Sequence, residues 1–160
     1  MVKSPVDVIN HIYRCTNAWD IEGLVTVTDP DIEWFSPASL PWKAPGSDKA
    51  RGSYDNYHKA AGAAAYLHAM FQEYLDKDAH FAVEDVIETV DGRVAAKGLL
   101  VARDQRTGEN FNMRFCHWWK VVDGKAIEME IYADTALLVA AVPAGGWQNP
   151  ADSPGVSTAV

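Results

Sequence analysis

One histidine, His117, is the residue of this sequence best placed to do chemistry. It lies in the segment 111–120, where residues alternate with the period of two that is typical of a β-strand. On one predicted face it is the single polar side chain among apolar neighbours, which are Phe111, Met113, Phe115 and Trp119. Because histidine titrates near neutral pH, it could act there as a general acid or base, or could hydrogen-bond a substrate carbonyl. The alternative is a core histidine with a backbone partner.

The strand that carries His117 needs neighbours to hold it. Asp123-Gly124 predicts a tight hairpin turn, because glycine supplies the positive φ that a two-residue turn requires. The return strand has its apolar wall at Ile127, Met129, Ile131 and Ala133. Two earlier segments, 80–90 and 93–104, complete a predicted four-stranded antiparallel meander.

Helices are predicted on either side of this meander. Capping residues and apolar spacing indicate three helices before it and a short one capped by Asp134 after it, at about 5–18, 21–28, 54–77 and 135–142. A short strand, 32–35, follows the second helix. The loop 37–52 carries Trp42, which either packs the loop onto the body or gates a cavity. Three helices followed by a curved antiparallel sheet predict an α+β fold.

Length and composition limit the function. The 160 residues predict one domain, at 1–142, with a tail rich in proline and glycine at 143–160. Without a long apolar run or a signal-peptide core, we expect a cytoplasmic protein with no membrane partner. A formal charge of −8 argues against nucleic acid as a partner. No ligand spacing and no glycine-rich phosphate loop are visible, so neither a metal nor a cofactor is predicted.

Four segments of the sequence, taken together, resemble a known protein family. The segments NAWDIEGLVTVTDPDIEWFSP, ARGSYDNY, HFAVEDVIETVDGRVAAKG and FCHWWKVVDGKAIEMEIYADTALL resemble the SnoaL-like branch of the nuclear transport factor 2-like superfamily. The superfamily includes ketosteroid isomerase, polyketide cyclases and epoxide hydrolases. The resemblance covers about residues 5 to 142. It implies a cone-shaped, strongly curved sheet wrapped around three N-terminal helices, an apolar pocket, and a homodimer through the outer face of the sheet.

The resemblance also implies roles for individual residues. His117 falls near the position where the isomerase hydrogen-bonds its substrate oxygen, and it matches a histidine of SnoaL-like relatives. Tyr13 lies one residue from the position of the isomerase tyrosine, so it is either a pocket hydroxyl or a packing residue. Ser36 and Ile131 stand where relatives carry pocket carboxylates. His68, on the third predicted helix, could complete an acid/base pair with His117.

These observations predict an enzyme that acts on a hydrophobic, cyclic small molecule by proton transfer, as an isomerase, cyclase or dehydratase. His117, His68 and Tyr13 are the candidate catalytic residues. The predicted substrate-binding residues are Trp34, Ser36, Trp42, Met113, Trp119, Met129 and Ile131. A binder without catalysis, holding an apolar ligand or a protein partner, is the alternative. A weaker one is an epoxide or lactone hydrolase, which would need Glu33 and Asp104 inside the cavity.

Overall fold

The computed structural model describes residues 4–37, 54–58, 75–105 and 107–134. These residues form two helices and six strands, which in chain order are α1 (Pro5–Asn17), α2 (Ile21–Val27), β1 (Thr28–Pro37), β2 (Tyr54–His58), β3 (His80–Glu88), β4 (Arg93–Arg103), β5 (Asn110–Val122) and β6 (Lys125–Ala133). The strands form one sheet in the order β2-β1-β6-β5-β4-β3. Helix α1 packs on one face of that sheet, against β3, β4, β5 and β6.

Both helices begin where their capping residues predict. Ser4 and Asp7 form a reciprocal capping box at the start of α1, and the Asp20 carboxylate accepts the Gly23 N–H at the start of α2. The apolar stripe of α1 is buried against the sheet, where Val8 and Ile9 have no exposed surface. Burial of this stripe fixes which side of α1 faces the sheet.

The predicted meander is confirmed. Strands β3 to β6 pair consecutively and antiparallel. Asp123 and Gly124 both have positive φ, at 50° and 75°, as the predicted two-residue turn requires. Along β5, buried residues alternate with more exposed ones, so His117 lies on the inner face while Cys116 and Trp118 lie on the outer face. This alternation places His117 beneath the helices.

The prediction of a wholly antiparallel sheet is wrong, because the sheet is mixed. Strand β1 pairs parallel with β6, with Trp34 opposite Met129. A short hairpin forces its two strands to run antiparallel, but no such turn joins β1 to β6. The chain enters β1 directly from α2, and β1 then pairs parallel with β6. The prediction of the strand itself was too short, since β1 extends over ten residues.

The third predicted helix is wrong over its first turn. Tyr54–His58 is a strand that pairs antiparallel with β1, from Glu33 opposite His58 to Pro37 opposite Tyr54. Two tyrosines within five residues suit a strand, and pairing with β1 overrides the helical spacing read from the sequence. The rest of that segment, with His68, lies outside the described residues. So do Trp42 and the predicted helix after Asp134.

The predicted cone is not confirmed. In the part of the chain that the structure describes, the sheet is open, with β2 and β3 at its two edges, and is covered by two helices rather than three. The inner face nevertheless carries a continuous apolar core formed by α1, α2 and the strands. Among the described residues, no helix is long and apolar enough to span a membrane.

Candidate functional site

The site is built where α1 crosses β5. The phenol oxygen of Tyr13, on α1, lies 2.7 Å from Nδ1 of His117, on β5. The two rings are stacked, with an interplanar angle of 14° and centroids 5.9 Å apart. The sequence left two interpretations of Tyr13 open, a pocket hydroxyl or a packing residue. The structure brings its hydroxyl within hydrogen-bond distance of the predicted histidine.

A ring of aromatic side chains surrounds this pair. Phe115 lies closest to the imidazole, with centroids 4.4 Å apart, and Phe81 and Trp119 contact it at 5.5 and 6.2 Å. The side chain of Asn17 holds Phe81 in place: it accepts the Phe81 N–H at 2.8 Å and donates to the Phe81 carbonyl at 2.9 Å. Asn17, the last residue of α1, therefore ties that helix to β3 at the site.

Burial sets the protonation of both groups. His117 is only 5% exposed, and its desolvation lowers the pKa of the imidazole from 6.5 to about 3. Burial raises the pKa of the Tyr13 phenol far above its ordinary value, although a side-chain hydrogen bond with Trp119 opposes that rise. Both groups are therefore neutral at neutral pH, and the pair forms a neutral hydrogen bond.

The direction of that hydrogen bond decides what His117 offers. If Tyr13 donates its O–H to Nδ1, the imidazole proton is on Nε2, which can then donate to a ligand. If Nδ1–H donates to the phenol oxygen, Nε2 is a free base and the Tyr13 proton can be donated elsewhere. The hydrogen bond with Tyr13 uses Nδ1 and does not involve Nε2. Either arrangement leaves one nitrogen available for chemistry.

A small cavity adjoins the pair. Its walls come from both helical and strand positions, and about 10 Å³ is open to the centre of a water molecule, which is room for roughly one water. The lining residues are Ile12, Tyr13, Thr16, Trp34, Phe81, His117 and Trp119. Apart from the pair itself, the polar groups in this lining are the Thr16 hydroxyl and two indole N–H groups.

The structure distributes the predicted binding residues unevenly. Trp34 and Trp119 line the cavity, as predicted. Met113, Met129 and Ile131 are buried on the same face of the sheet but do not line this cavity. The backbone of Ser36 lies on β1, opposite Asp55. His68 and Trp42 fall outside the described residues, so the predicted pairing of two histidines stays a prediction.

Three residues that line the cavity were not predicted from the sequence. Ile12 lies on the apolar stripe of α1, and nothing in the sequence distinguishes it from the other core positions of that stripe. Thr16 lies four residues later, on the same side of the helix, and that spacing could have indicated it. Phe81 is the first buried residue of β3, and only the packing of β3 against α1 brings it to Tyr13.

Carboxylates are absent from the lining of this cavity among the described residues. Ile131 is paired with His117 across the strands, at the position where relatives were expected to carry a carboxylate. Glu33 is exposed, and the buried carboxylate of Asp104 accepts the Thr107 N–H in the turn after β4. Glu130 is paired with Trp118 of the outer face, and its carboxylate lies 3.9 Å from Arg93. A hydrolase that needs two cavity carboxylates has no support here.

In the ranges that the structure describes, no group of three or more histidine, cysteine or acidic side chains could hold a metal ion. Cys15 lies 3.4 Å from Nε2 of His11, but this contact is at the end of α1 that adjoins α2, outside the cavity lining. The chemistry available at the site is therefore that of the Tyr13–His117 pair and its aromatic surroundings.

A comparison with known protein families identifies the family of this chain. The SnoaL-like domain family matches residues 9–129, which is three quarters of the chain. The chain belongs to the SnoaL-like family. A comparison with curated proteins found no match. The match spans α1 to β6 and so includes both members of the Tyr13–His117 pair.

Several solved structures, some of them named NTF2-like, are similar to this chain in fold. IdmH, a candidate polyketide cyclase from Streptomyces antibioticus, is 20% identical with a TM-score of 0.71, over 87% of this chain and 98% of its own. An NTF2-like protein from Burkholderia thailandensis is 23% identical with a TM-score of 0.72, over 87% and 97%. TerC, crystallised with polyporic acid, is 26% identical with a TM-score of 0.64, over 84% and 95%.

Proposed function

We propose that this SnoaL-like protein is an enzyme that transfers a proton on a hydrophobic, cyclic small molecule, in an isomerisation, cyclisation or dehydration. One observation carries the proposal: a neutral, buried histidine hydrogen-bonded to a tyrosine hydroxyl inside an aromatic cavity. Perturbed titratable groups in apolar cavities are typical of sites that move protons. The likeness to IdmH, a candidate polyketide cyclase, supports the same class of substrate.

In the proposed step, Nε2 of His117 removes a proton from the carbon next to a ring carbonyl of the ligand. This requires the tautomer in which Nδ1–H donates to the Tyr13 oxygen, which frees the Tyr13 proton for the carbonyl oxygen. Negative charge then develops on that oxygen while the imidazole becomes positive. Because burial disfavours an isolated imidazolium, the cation is tolerable mainly beside the anion formed in the same step. Returning the proton to another carbon completes an isomerisation.

A second candidate function is binding without catalysis. It is favoured by the lack of carboxylates among the described residues that line the cavity, and by Ile131 opposite His117. In this alternative the Tyr13–His117 hydrogen bond holds α1 onto β5, and the cavity holds an apolar ligand unchanged. The two proposals differ in whether removing the imidazole abolishes a reaction or only alters affinity.

The test is proton exchange, which needs no knowledge of the natural substrate. The protein is incubated in D₂O with cyclic ketones such as 2-tetralone, and loss of the proton signal next to the carbonyl is followed by NMR. Removing a general base typically lowers the rate about 10²- to 10⁴-fold, so His117→Gln should return exchange to the solvent rate. His80→Gln, which changes an exposed histidine at the start of β3, is the matched control. Binding without any accelerated exchange in the wild type would favour the binder.

A further inference from the structure

We infer that Trp119 is a positioning residue for His117: its indole N–H donates to the Tyr13 oxygen, the Tyr13 O–H donates to Nδ1, and the imidazole proton is thereby held on Nε2 while no ligand is bound. In this form Nε2 cannot remove a proton. The inference deepens the proposed function, on which its catalytic meaning rests, but the position of the proton can be measured without a substrate.

The Tyr13 hydroxyl lies between two nitrogen-bearing side chains. Its oxygen is 2.7 Å from Nδ1 of His117, and a side-chain hydrogen bond also joins it to Trp119. The rings of Tyr13 and Trp119 meet edge to face at 86°, with centroids 6.3 Å apart. All three side chains are at most 5% exposed, so bulk water does not compete for these hydrogen bonds.

The chemistry of indole fixes the direction of the first hydrogen bond. An indole N–H donates and does not accept, so the Tyr13 oxygen is the acceptor. That oxygen carries one hydrogen of its own, and an unprotonated Nδ1 of the neutral His117 imidazole can accept it. The three groups then form one hydrogen-bond relay, from Trp119 through Tyr13 to His117, in which every donor has an acceptor.

The opposite tautomer fits the ligand-free site less well. With the proton on Nδ1, two N–H groups would be directed at one phenol oxygen, and the Tyr13 hydrogen would need another acceptor. A buried donor without a full partner destabilises the protein. Ionisation offers no relief, because burial lowers the pKa of His117 to about 3 and raises that of Tyr13 far above its ordinary value. The cavity that His117 lines has room for roughly one water, which can accept the proton on Nε2.

The relay makes the base in the proposed reaction conditional on the ligand. Proton removal by Nε2 requires the imidazole proton on Nδ1, where it donates to Tyr13. When a ligand oxygen accepts the Tyr13 O–H, Nδ1 loses its donor. The imidazole can then gain a proton on Nδ1 and release the one on Nε2 to water, with no net change in charge. His117 therefore becomes a base only when a ligand has engaged Tyr13.

The test is NMR of protein labelled with ¹⁵N-histidine, because protonated and unprotonated ring nitrogens give well-separated signals. His117→Gln assigns the signals. In the ligand-free wild type we expect the proton on Nε2 and a correlation between Nδ1 and the Tyr13 hydroxyl proton. Since histidine in water also favours the proton on Nε2, the decisive measurement is the dependence on Trp119.

Benzothienylalanine at position 119 keeps the shape of the ring and replaces the N–H by sulfur. Loss of one neutral hydrogen bond corresponds to about a fivefold change in an equilibrium, so the ratio of the Nε2–H to the Nδ1–H tautomer should fall about fivefold. Trp118→Phe, on the outer face of the same strand, is the control and should leave the ratio unchanged.

The inference is overturned if Nδ1 carries the proton in the ligand-free wild type, or if loss of the indole N–H leaves the His117 signals unchanged. The proton exchange of 2-tetralone separates this outcome from failure of the proposed function. A Trp119-dependent tautomer without accelerated exchange would support the inference and contradict the proposed catalysis. Accelerated exchange by a protein whose ligand-free form already carries the proton on Nδ1 would do the reverse.

Discussion

Burial of His117 predicts how the stability of the protein depends on pH. The imidazole has a pKa of about 3 in the folded protein and an ordinary value near 6.5 when unfolded. Between these values the unfolded chain binds a proton that the folded protein does not, so the free energy of unfolding falls as the pH falls below about 6.5. Each pH unit lowers it by about 1.4 kcal/mol, which amounts to roughly 3 kcal/mol at pH 4.5.

His117→Gln removes this titration while leaving a side chain that can accept the Tyr13 hydroxyl. We expect the variant to be less stable than the wild type at pH 7.5 and the difference to shrink by roughly 3 kcal/mol towards pH 4.5. Urea unfolding of both proteins at several pH values, followed by fluorescence, measures the difference directly. Carboxylates that titrate in this range affect both proteins alike and cancel. A difference that stays constant with pH would refute a buried, neutral imidazole, and His80→Gln controls for losing an exposed one.

Four further changes have expected outcomes. Tyr13→Phe leaves Nδ1 of His117 unpaired and should cost about 1–3 kcal/mol of stability in urea unfolding. Asn17→Ala removes both hydrogen bonds to the Phe81 backbone, with a similar cost, whereas Asn17→Asp keeps the acceptor and should lose less. Gly98→Ala would drive a methyl group into the backbone carbonyl oxygen of Ala82, so β3 must shift and stability should fall by about 1–3 kcal/mol. Tyr132→Glu, on the exposed outer face, should shift the protein from dimer to monomer in sedimentation velocity if that face pairs as predicted.

Local patterns predicted the meander well because each of its features is set by neighbouring residues. The alternation along β5 and the turn at Asp123-Gly124 needed no distant contact, and both are confirmed. The capping residues Ser4 and Asp20 likewise act within three residues of themselves. The failures lie where distant segments decide. The direction of β1 depends on β6, and Tyr54–His58 became a strand only because it pairs with β1.

The residues of the site likewise differ in whether local sequence or distant contacts determine them. His117 could be identified from β5 alone, because one polar side chain on an apolar wall is visible in the sequence. The pairing with Tyr13, which the resemblance named only as a candidate, could not be predicted this way, since the contact joins residues 104 positions apart and depends on the rotation of α1 over the sheet. Phe81 reaches the site through the same packing, with Asn17 fixing its strand to the helix. One helix position therefore decides whether His117 is a lone core histidine or half of a pair.

The pairing of His117 with Tyr13 affects how a site without a cavity carboxylate could still transfer a proton. In the described lining, the only titratable neighbour of His117 is Tyr13, and burial keeps both neutral. A weak base in such a place gains strength only from the anion that its own reaction creates, so stabilisation of the ligand oxygen matters more here than the basicity of the imidazole. In the proposed step the Tyr13 hydroxyl is the donor to that oxygen. If the protein is an enzyme, its rate should therefore be more sensitive to this donor than to the pH of the solution.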